Sequence, residues 1–522
     1  MSQTDNKRVA KNAVALTLRM ILVTIVGLYT SRIVLEALGV EDYGIYGVIG
    51  GVVGMASFLN SSMAGATSRF ITFELGHGDE SKLKKIFSTS LIIHIAIALI
   101  VFVLAETIGL WFVNNKMNFP DGSMSSVNIL YQFTIISMMV NFTQVPYSAA
   151  IIAHEKMSIY AYFEIINVVL KIAIATMLLF VSSNKLILYA GLMMAVSIVS
   201  ALIYRIYCIR HFKETKFKFV IDRTLIRGML SFSGFDLYGN MCTTFKFQSQ
   251  PIVLNMFFGV VANVGASIAL TITGAISGLT TSISQAFNPQ IIKQYSNGNF
   301  DNMASVMRRS VQFTMLAYGI IALPVFIYTD LILDLWLGQV PAYSVEFIRL
   351  IIITAFFSIV VTVSNTAMHA TGDIKLISFY TGTLHLLAPI ISYVVIKFIF
   401  KDASLVYIVN ILLMVIIIAT TFRFIHIQIP NLNIHKYLQT IAMSFVLIIT
   451  AYTITYFANQ IATDVLPATE PWSRFVSATI VSVTGVSILF GTTFKFALTC
   501  EERQYLLMII KNKLNSFKLF KH

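Results

Sequence analysis

Residues 186–208 read LILYAGLMMAVSIVSALIYRIYC, an apolar run flanked by Lys185 and Arg210. A hydrocarbon core about 30 Å thick takes about 20 apolar residues per helical crossing, and lipid offers no partner to an open backbone. Such a run is therefore a membrane helix. About fourteen of these runs fill the chain, at 13–35, 44–72, 87–113, 126–152, 158–181, 186–208, 226–258, 264–292, 304–328, 343–369, 375–399, 404–426, 437–458 and 472–494. Only short loops join them. Of the 522 residues 57% are hydrophobic and 12% charged, and the mean hydropathy is +0.79, which fits no soluble class. The fold class expected is an all-α polytopic membrane protein with about fourteen transmembrane helices.

Basic residues set the expected orientation. About 25 of the 37 Lys and Arg fall on one side, in the N-terminus (Lys7, Arg8, Lys11), the loops around Lys82–Lys85, Lys156, Arg210–Arg227, Lys293, Arg308–Arg309, Lys375 and Arg423–Lys436, and the tail. That bias places both termini in the cytoplasm, as an even number of spans also requires. The net charge of +13 reads as topogenic bias and attraction to anionic membrane lipids, with no nucleic-acid partner. Residues Glu501–His522 read as a basic amphipathic helix on the cytoplasmic face. The first apolar run lacks a small-residue cleavage site and is expected to stay as the first span. Cys208, Cys242 and Cys500 are widely spaced and imply neither a disulfide nor a metal framework.

The chain repeats itself. A shift of 220 residues, the distance from Gly39 to Gly259, superimposes Gly54 on Gly274, Ser57 on Ser277, Ser62 on Ser282, Ile71 on Ile291, Gly78 on Gly298 and Ser90 on Ser310. The copies begin on the same side of the membrane, so they are parallel repeats, expected as two six-helix lobes related by a pseudo-twofold axis along the membrane normal. The division read from this is a lobe at 1–209, a basic linker at 210–225, a second lobe at 226–430, two extra helices at 431–495 and the tail at 496–522.

Polar residues inside the spans are the candidates for function. Ser57, Ser61, Gly65, Ser68 and Thr72 share a face of span 2, and Ser267, Thr271, Gly274, Gly278, Thr281, Gln285 and Asn288 share one of span 8. Each stripe reads either as close helix packing or as the lining of an aqueous cavity. Charges within spans are costly and mark protein or water. Arg19 in span 1 faces either the cavity or the cytoplasmic surface by snorkelling. Arg69 lies at the cytoplasmic end of span 2 with the same two readings. Lys246 sits in the middle of span 7, in the polar run Asn240–Gln250. Asp236 is a candidate for ion coupling or a partner for Lys246. Arg32 with Glu36, and Glu164 with Lys171, suggest internal pairs, Arg349 lies near the outer surface, and His94 and His385 read as structural. The cavity these residues outline is cationic, which suits a phosphate-bearing ligand and not a cationic drug. No phosphate-cradling Gly-rich loop, His-Glu-x-x-His or Asp-x-Asp motif is present, and no outer loop is long enough for a catalytic domain, so no enzyme is expected.

Two stretches carry a resemblance: Ser31–Tyr46, SRIVLEALGVEDYGIY, and Ala370–Lys375, ATGDIK. They resemble the Wzx-type oligosaccharide flippases of the multidrug, oligosaccharidyl-lipid and polysaccharide exporter superfamily, over essentially the full chain. The resemblance implies transfer of an undecaprenyl-diphosphate-linked oligosaccharide from the cytoplasmic to the periplasmic leaflet of the bacterial inner membrane, for surface polysaccharides such as O-antigen. It implies basic residues of spans 1, 2 and 7 in the cavity, the spans that hold Arg19, Arg69 and Lys246. It also implies coupling to Na+ or H+, with the ion left open, and partners among the other polysaccharide assembly proteins. The competing readings are a cation-coupled multidrug exporter, which would need acidic cavity residues, and a membrane glycosyltransferase or polymerase, which would need a catalytic outer loop.

Overall fold

The computed structural model describes residues 3–77, 79–154, 156–181, 184–220, 222–338, 340–371, 373, 375–465, 471–497 and 503. The described residues are almost all helical: α1 (Gln3–Gly54), α2 (Ser57–His77), α3 (Glu80–Leu104), α4 (Leu110–Lys116), α5 (Met124–Ala153), α6 (Met157–Leu178), α7 (Lys185–His211), α8 (Arg223–Ser296), α9 (Phe300–Ile327), α10 (Thr329–Leu337), α11 (Ser344–Thr371), α12 (Lys375–Phe398), α13 (Leu405–Gln428), α14 (Ile434–Val465) and α15 (Pro471–Thr492). Among the described residues, 11 helical segments are long and apolar enough to cross a membrane. The protein is an all-helical membrane protein.

Glycine cuts the two longest helices. Gly39 in α1 adopts φ 77° and ψ 175°, and Gly259 in α8 adopts φ 72° and ψ −169°. This region is essentially closed to residues with a Cβ, so each glycine turns a continuous run into two limbs. The two positions are 220 residues apart, and the shifted positions share other local structure. Asp79 caps α3 by accepting from the Lys82 N–H, and Asn299 caps α9 by accepting from the Asn302 N–H. Ile71 and Ile291 are fully buried, as are Ser90 and Ser310.

The expected span 44–72 is not one helix. A turn at Met55–Ala56 separates α1 from α2, with the Met55 N–H shared between the Gly51 and Val52 carbonyls and the Ala56 N–H bonded to Val53. The glycines at 50, 51 and 54 weaken the helix there and let the chain tighten into i→i−3 bonding.

Two compact units are present. The first comprises Met1–Leu279, Trp336–Thr354 and Ile374–Thr420; the second comprises Thr280–Leu335, Ala355–Asp373 and Thr421–His522. In the first, Phe87, Tyr147, Tyr204 and Cys208 form one buried cluster, and Ile45, Val113, Tyr131, Leu186 and Val260 form another. The limb after Gly39 lies against both limbs of α8. A Cβ on Gly44 would stand 2.6 Å from the Val260 carbonyl oxygen, one on Gly47 2.7 Å from Ser267 Oγ, and one on Gly54 2.8 Å from Gln248 Nε2. Lipid tails are as apolar as the helices, so close backbone approach through small residues replaces hydrophobic drive. In the second unit, Leu323, Ala451 and Leu489 pack α9 against α14 and α15, and Tyr318 meets Phe356 edge to face at 4.8 Å.

Two expected pairs are not formed. Arg32 and Glu36 are both exposed, and among the described residues no ion pair joins them. Glu164 accepts from the Tyr204 hydroxyl at 3.4 Å, and Asn167 donates to Ser200 Oγ at 3.0 Å. The α6 face thus pairs with α7 and leaves Lys171 out of the pair expected with Glu164. Cys208 and Cys242 are buried free thiols, and Cys500 and the tail 504–522 lie outside the described residues.

Candidate functional site

The limb of α8 before Gly259 carries its polar run on a buried face. Cys242, Lys246, Ser249, Gln250 and Val253 recur at helical spacing and are all buried, while Phe247 on the other side is exposed. Pro251 removes the hydrogen bond that the Phe247 carbonyl would otherwise accept, leaving a local polar group within this limb.

Helix α12 lies against that face. Gly382 admits it closely, since a Cβ there would stand 3.0 Å from Tyr238 and 3.4 Å from Cys242 Sγ. The Tyr238 hydroxyl bonds Thr383 Oγ1 at 2.7 Å, and its ring stacks on Phe379. One turn further along the two helices stand Lys246 and His385. Lys246 is only 1% exposed. Among the described residues its ammonium meets no carboxylate and no hydrogen-bond acceptor, and its one recorded contact is with the Phe247 ring, 5.0 Å from the centroid. Among the described residues, His385 Nδ1 is buried without a hydrogen-bond partner. A buried ammonium without a carboxylate among the described residues suits an anion and disfavours an organic cation. Among the described residues there is no cluster of three or more metal-ligating side chains.

Of the other candidate residues, Arg69 is exposed and Ser68 half-buried on α2, and no hydrogen bond or ion pair links either to Lys246. The Thr72 hydroxyl returns to the Ser68 carbonyl at 2.7 Å. Besides the ion pair of Glu74 with Lys82 at 2.7 Å, α2 meets α3 through Thr67, whose hydroxyl lies 2.8 Å from Ser90 Oγ, while His94 Nδ1 donates to the Ser90 carbonyl at 2.8 Å. Ser267, in the span 8 stripe, serves close packing against Gly47. The side chains of Arg19, Ser61, Asp236, Thr281 and Gln285 lie outside the described residues.

Sequence reasoning missed His385, which reads as a lone histidine until Gly382 and Thr383 set its helix against α8. It also missed the glycines at 44, 47, 51 and 54, whose spacing of three and four was a visible signal for helix packing.

A family model described as Polysaccharide biosynthesis protein matches residues 9–295, and one described as MatE matches residues 240–394. No curated protein sequence matches the chain. Among solved structures, the chain is similar to an inward-facing multidrug resistance MATE family transporter of the MOP superfamily, with TM-score 0.65 and 11% identity over 81% of this chain and 98% of that one. It is similar to the lipid II flippase MurJ in an inward closed conformation, with TM-score 0.62 and 12% identity over 93% of this chain and 99% of that one. It is also similar to a MOP superfamily transporter from Pyrococcus furiosus described as having reversed polarity in its binding pocket, with TM-score 0.57 and 12% identity over 81% and 96%. At these identities the likeness is one of fold.

Proposed function

Because the chain belongs to the polysaccharide biosynthesis protein family, Wzx-like transporters of the MOP superfamily and not enzymes, we propose that it flips an undecaprenyl-diphosphate-linked oligosaccharide from the cytoplasmic to the periplasmic leaflet. The observation that carries this reading is Lys246, buried and unpaired among the described residues in the middle of a membrane helix. A buried ammonium is costly unless a ligand supplies the missing anion. A diphosphate does so, and a cationic drug does not. The fold shared with a lipid II flippase supports the same substrate class.

In the mechanism we infer, two six-helix lobes at 1–209 and 226–430 rock about a central cavity with both termini in the cytoplasm. Lys246 and Arg19 hold the diphosphate, Arg69 draws it in from the cytoplasmic end, and Ser61, Ser68, Thr281 and Gln285 meet sugar hydroxyls. The prenyl tail stays in lipid near the helices at 431–495. The packing of residues 40–54 against both limbs of α8 supports a resting state closed at the periplasmic end. Coupling to Na+ or H+, with Asp236 as its residue, belongs to the same proposal, as does cooperation with other assembly proteins. A multidrug exporter is the second reading, favoured by the MatE match over residues 240–394, but Lys246 opposes a cationic cargo.

Deletion followed by analysis of lipid-linked intermediates tests the reading. Complete oligosaccharide units accumulating on the cytoplasmic face support it. Normal export with a changed sensitivity to cationic drugs would replace it with the second reading.

A further inference from the structure

A second polar site lies away from Lys246, at the end of the first unit where α2, α3, α5 and α7 all start or stop. The segment after α7 folds back there. Phe212 stacks on the His154 imidazole at 4.0 Å between ring centroids, Glu214 pairs with His154 Nε2, and the Lys218 N–H donates to Ser88 Oγ at 3.2 Å. The result is a cavity of about 600 Å³. Three carboxylates line it, and each already has a basic partner. Glu74, 2% exposed, pairs with Lys82 at 2.7 Å, Glu80 pairs with Lys213 at 3.4 Å, and Glu214 has His154. Lys84 and Lys216 also line the cavity, and among the described residues neither has an acidic partner. Counting side chains at the site and their ion-pair partners among the described residues, four lysines (Lys82, Lys84, Lys213 and Lys216) stand against three carboxylates, so positive charge is in excess even with His154 neutral.

The chain leaving this cavity is Lys216-Phe217-Lys218-Phe219. It runs outside any helix, and its two phenylalanines are 47% and 70% exposed. Exposed phenylalanine alternating with lysine suits the boundary between headgroups and acyl chains, where rings enter the apolar layer and ammonium groups meet phosphate. A soluble anion would need the lysines but has no use for the rings. We propose that this cavity binds the phosphate headgroup of an anionic lipid through Lys84 and Lys216, with Phe217 and Phe219 seated in the acyl boundary. The site lies on a different part of the molecule from Lys246, and its occupancy does not depend on what the transporter carries.

The test uses the full-length protein in detergent, with retained lipid counted by native mass spectrometry and melting followed in parallel. The probes are phosphatidylglycerol, phosphatidylcholine and inorganic phosphate. Phosphatidylglycerol should be retained and should raise the melting temperature, while phosphatidylcholine and inorganic phosphate should do neither. The double variant Lys84→Ala/Lys216→Ala should lose phosphatidylglycerol by about tenfold or more, as expected of two lysines near an anionic headgroup. Lys84→Arg/Lys216→Arg should keep it, and Phe217→Ser/Phe219→Ser should weaken it. Lipid-free melting of each variant shows whether it folds. Equal retention of phosphatidylglycerol by the folded double alanine variant, or equal protection by inorganic phosphate alone, would overturn the proposal.

Discussion

At Lys246 a role in folding can be told apart from the role proposed for it in transport. A buried ammonium without a partner costs stability, on the scale of about 1–3 kcal/mol or more for an unsatisfied buried group. Lys246→Met keeps the length of the side chain and removes the charge. Its expected outcome is a melting temperature equal to or above wild type together with loss of flipping, measured in reconstituted vesicles on a diphosphate-linked lipid. A variant that melts lower and still flips would mean that Lys246 is structural. Lys246 was legible in the sequence because a charge in the middle of an apolar run has few innocent explanations. His385 was not, because a neutral imidazole costs little in a helix and gains meaning only from the neighbour that α12 brings. Glu164 went the other way, since its spacing from Lys171 suggested a partner on its own helix and Tyr204 on α7 supplied one.

At the scale of elements, the helices were legible and their breaks only partly so. Lipid forces nearly all backbone hydrogen bonds inside each helix, so hydropathy alone outlines the spans. Whether a run bends depends on single residues. Gly39 and Gly259 were visible as a repeat pair but not as turns, and the Met55–Ala56 turn left no sign beyond nearby glycines. Nothing lies within 4 Å of a Cβ built at Gly39 or Gly259, so any cost of substitution there is conformational and not steric. Gly39→Ala and Gly259→Ala should each cost about 1–3 kcal/mol, whereas Gly50→Ala, a helical position equally free of neighbours, should be neutral or mildly stabilising. Thermal melting of the three variants is the check, and an equal effect at Gly50 would refute the argument. The linker offers a pH test. Burial opposes ionisation of Glu214, but hydrogen bonds from His154 and the backbone outweigh it and hold the carboxyl below its usual range. The stabilisation is thus present above the ordinary glutamate value of about 4.3 and lost as pH falls through the lowered value. Hydrogen exchange over residues 212–220 should rise in that acid window. At neutral pH, His154→Ala should produce the same rise.

For the whole molecule, the question is whether the close packing of residues 40–54 against α8 is a fixed scaffold or one of two states. The contacts are unequal in what they tolerate. A side chain at Gly54 would meet the movable end of Gln248, whereas one at Gly44 would meet the backbone of Val260. Gly44→Leu therefore cannot be absorbed by a rotamer change and must part residue 44 from the limb after Gly259. In a scaffold, that strain appears as a lower melting temperature and nothing else. In a transporter whose lobes alternate, the strain is relieved by the state in which this end is open, and the population shifts there in proportion to the cost. A reporter cysteine at Ser267, whose hydroxyl packs against Gly47, distinguishes the two. On the alternating-access reading, Gly44→Leu should raise its labelling by an impermeant thiol reagent from the periplasmic side and slow flipping, because the return to the closed end becomes unfavourable. Gly54→Ala should do neither. Unchanged labelling with a lowered melting temperature would make this packing structural and place the moving contact elsewhere.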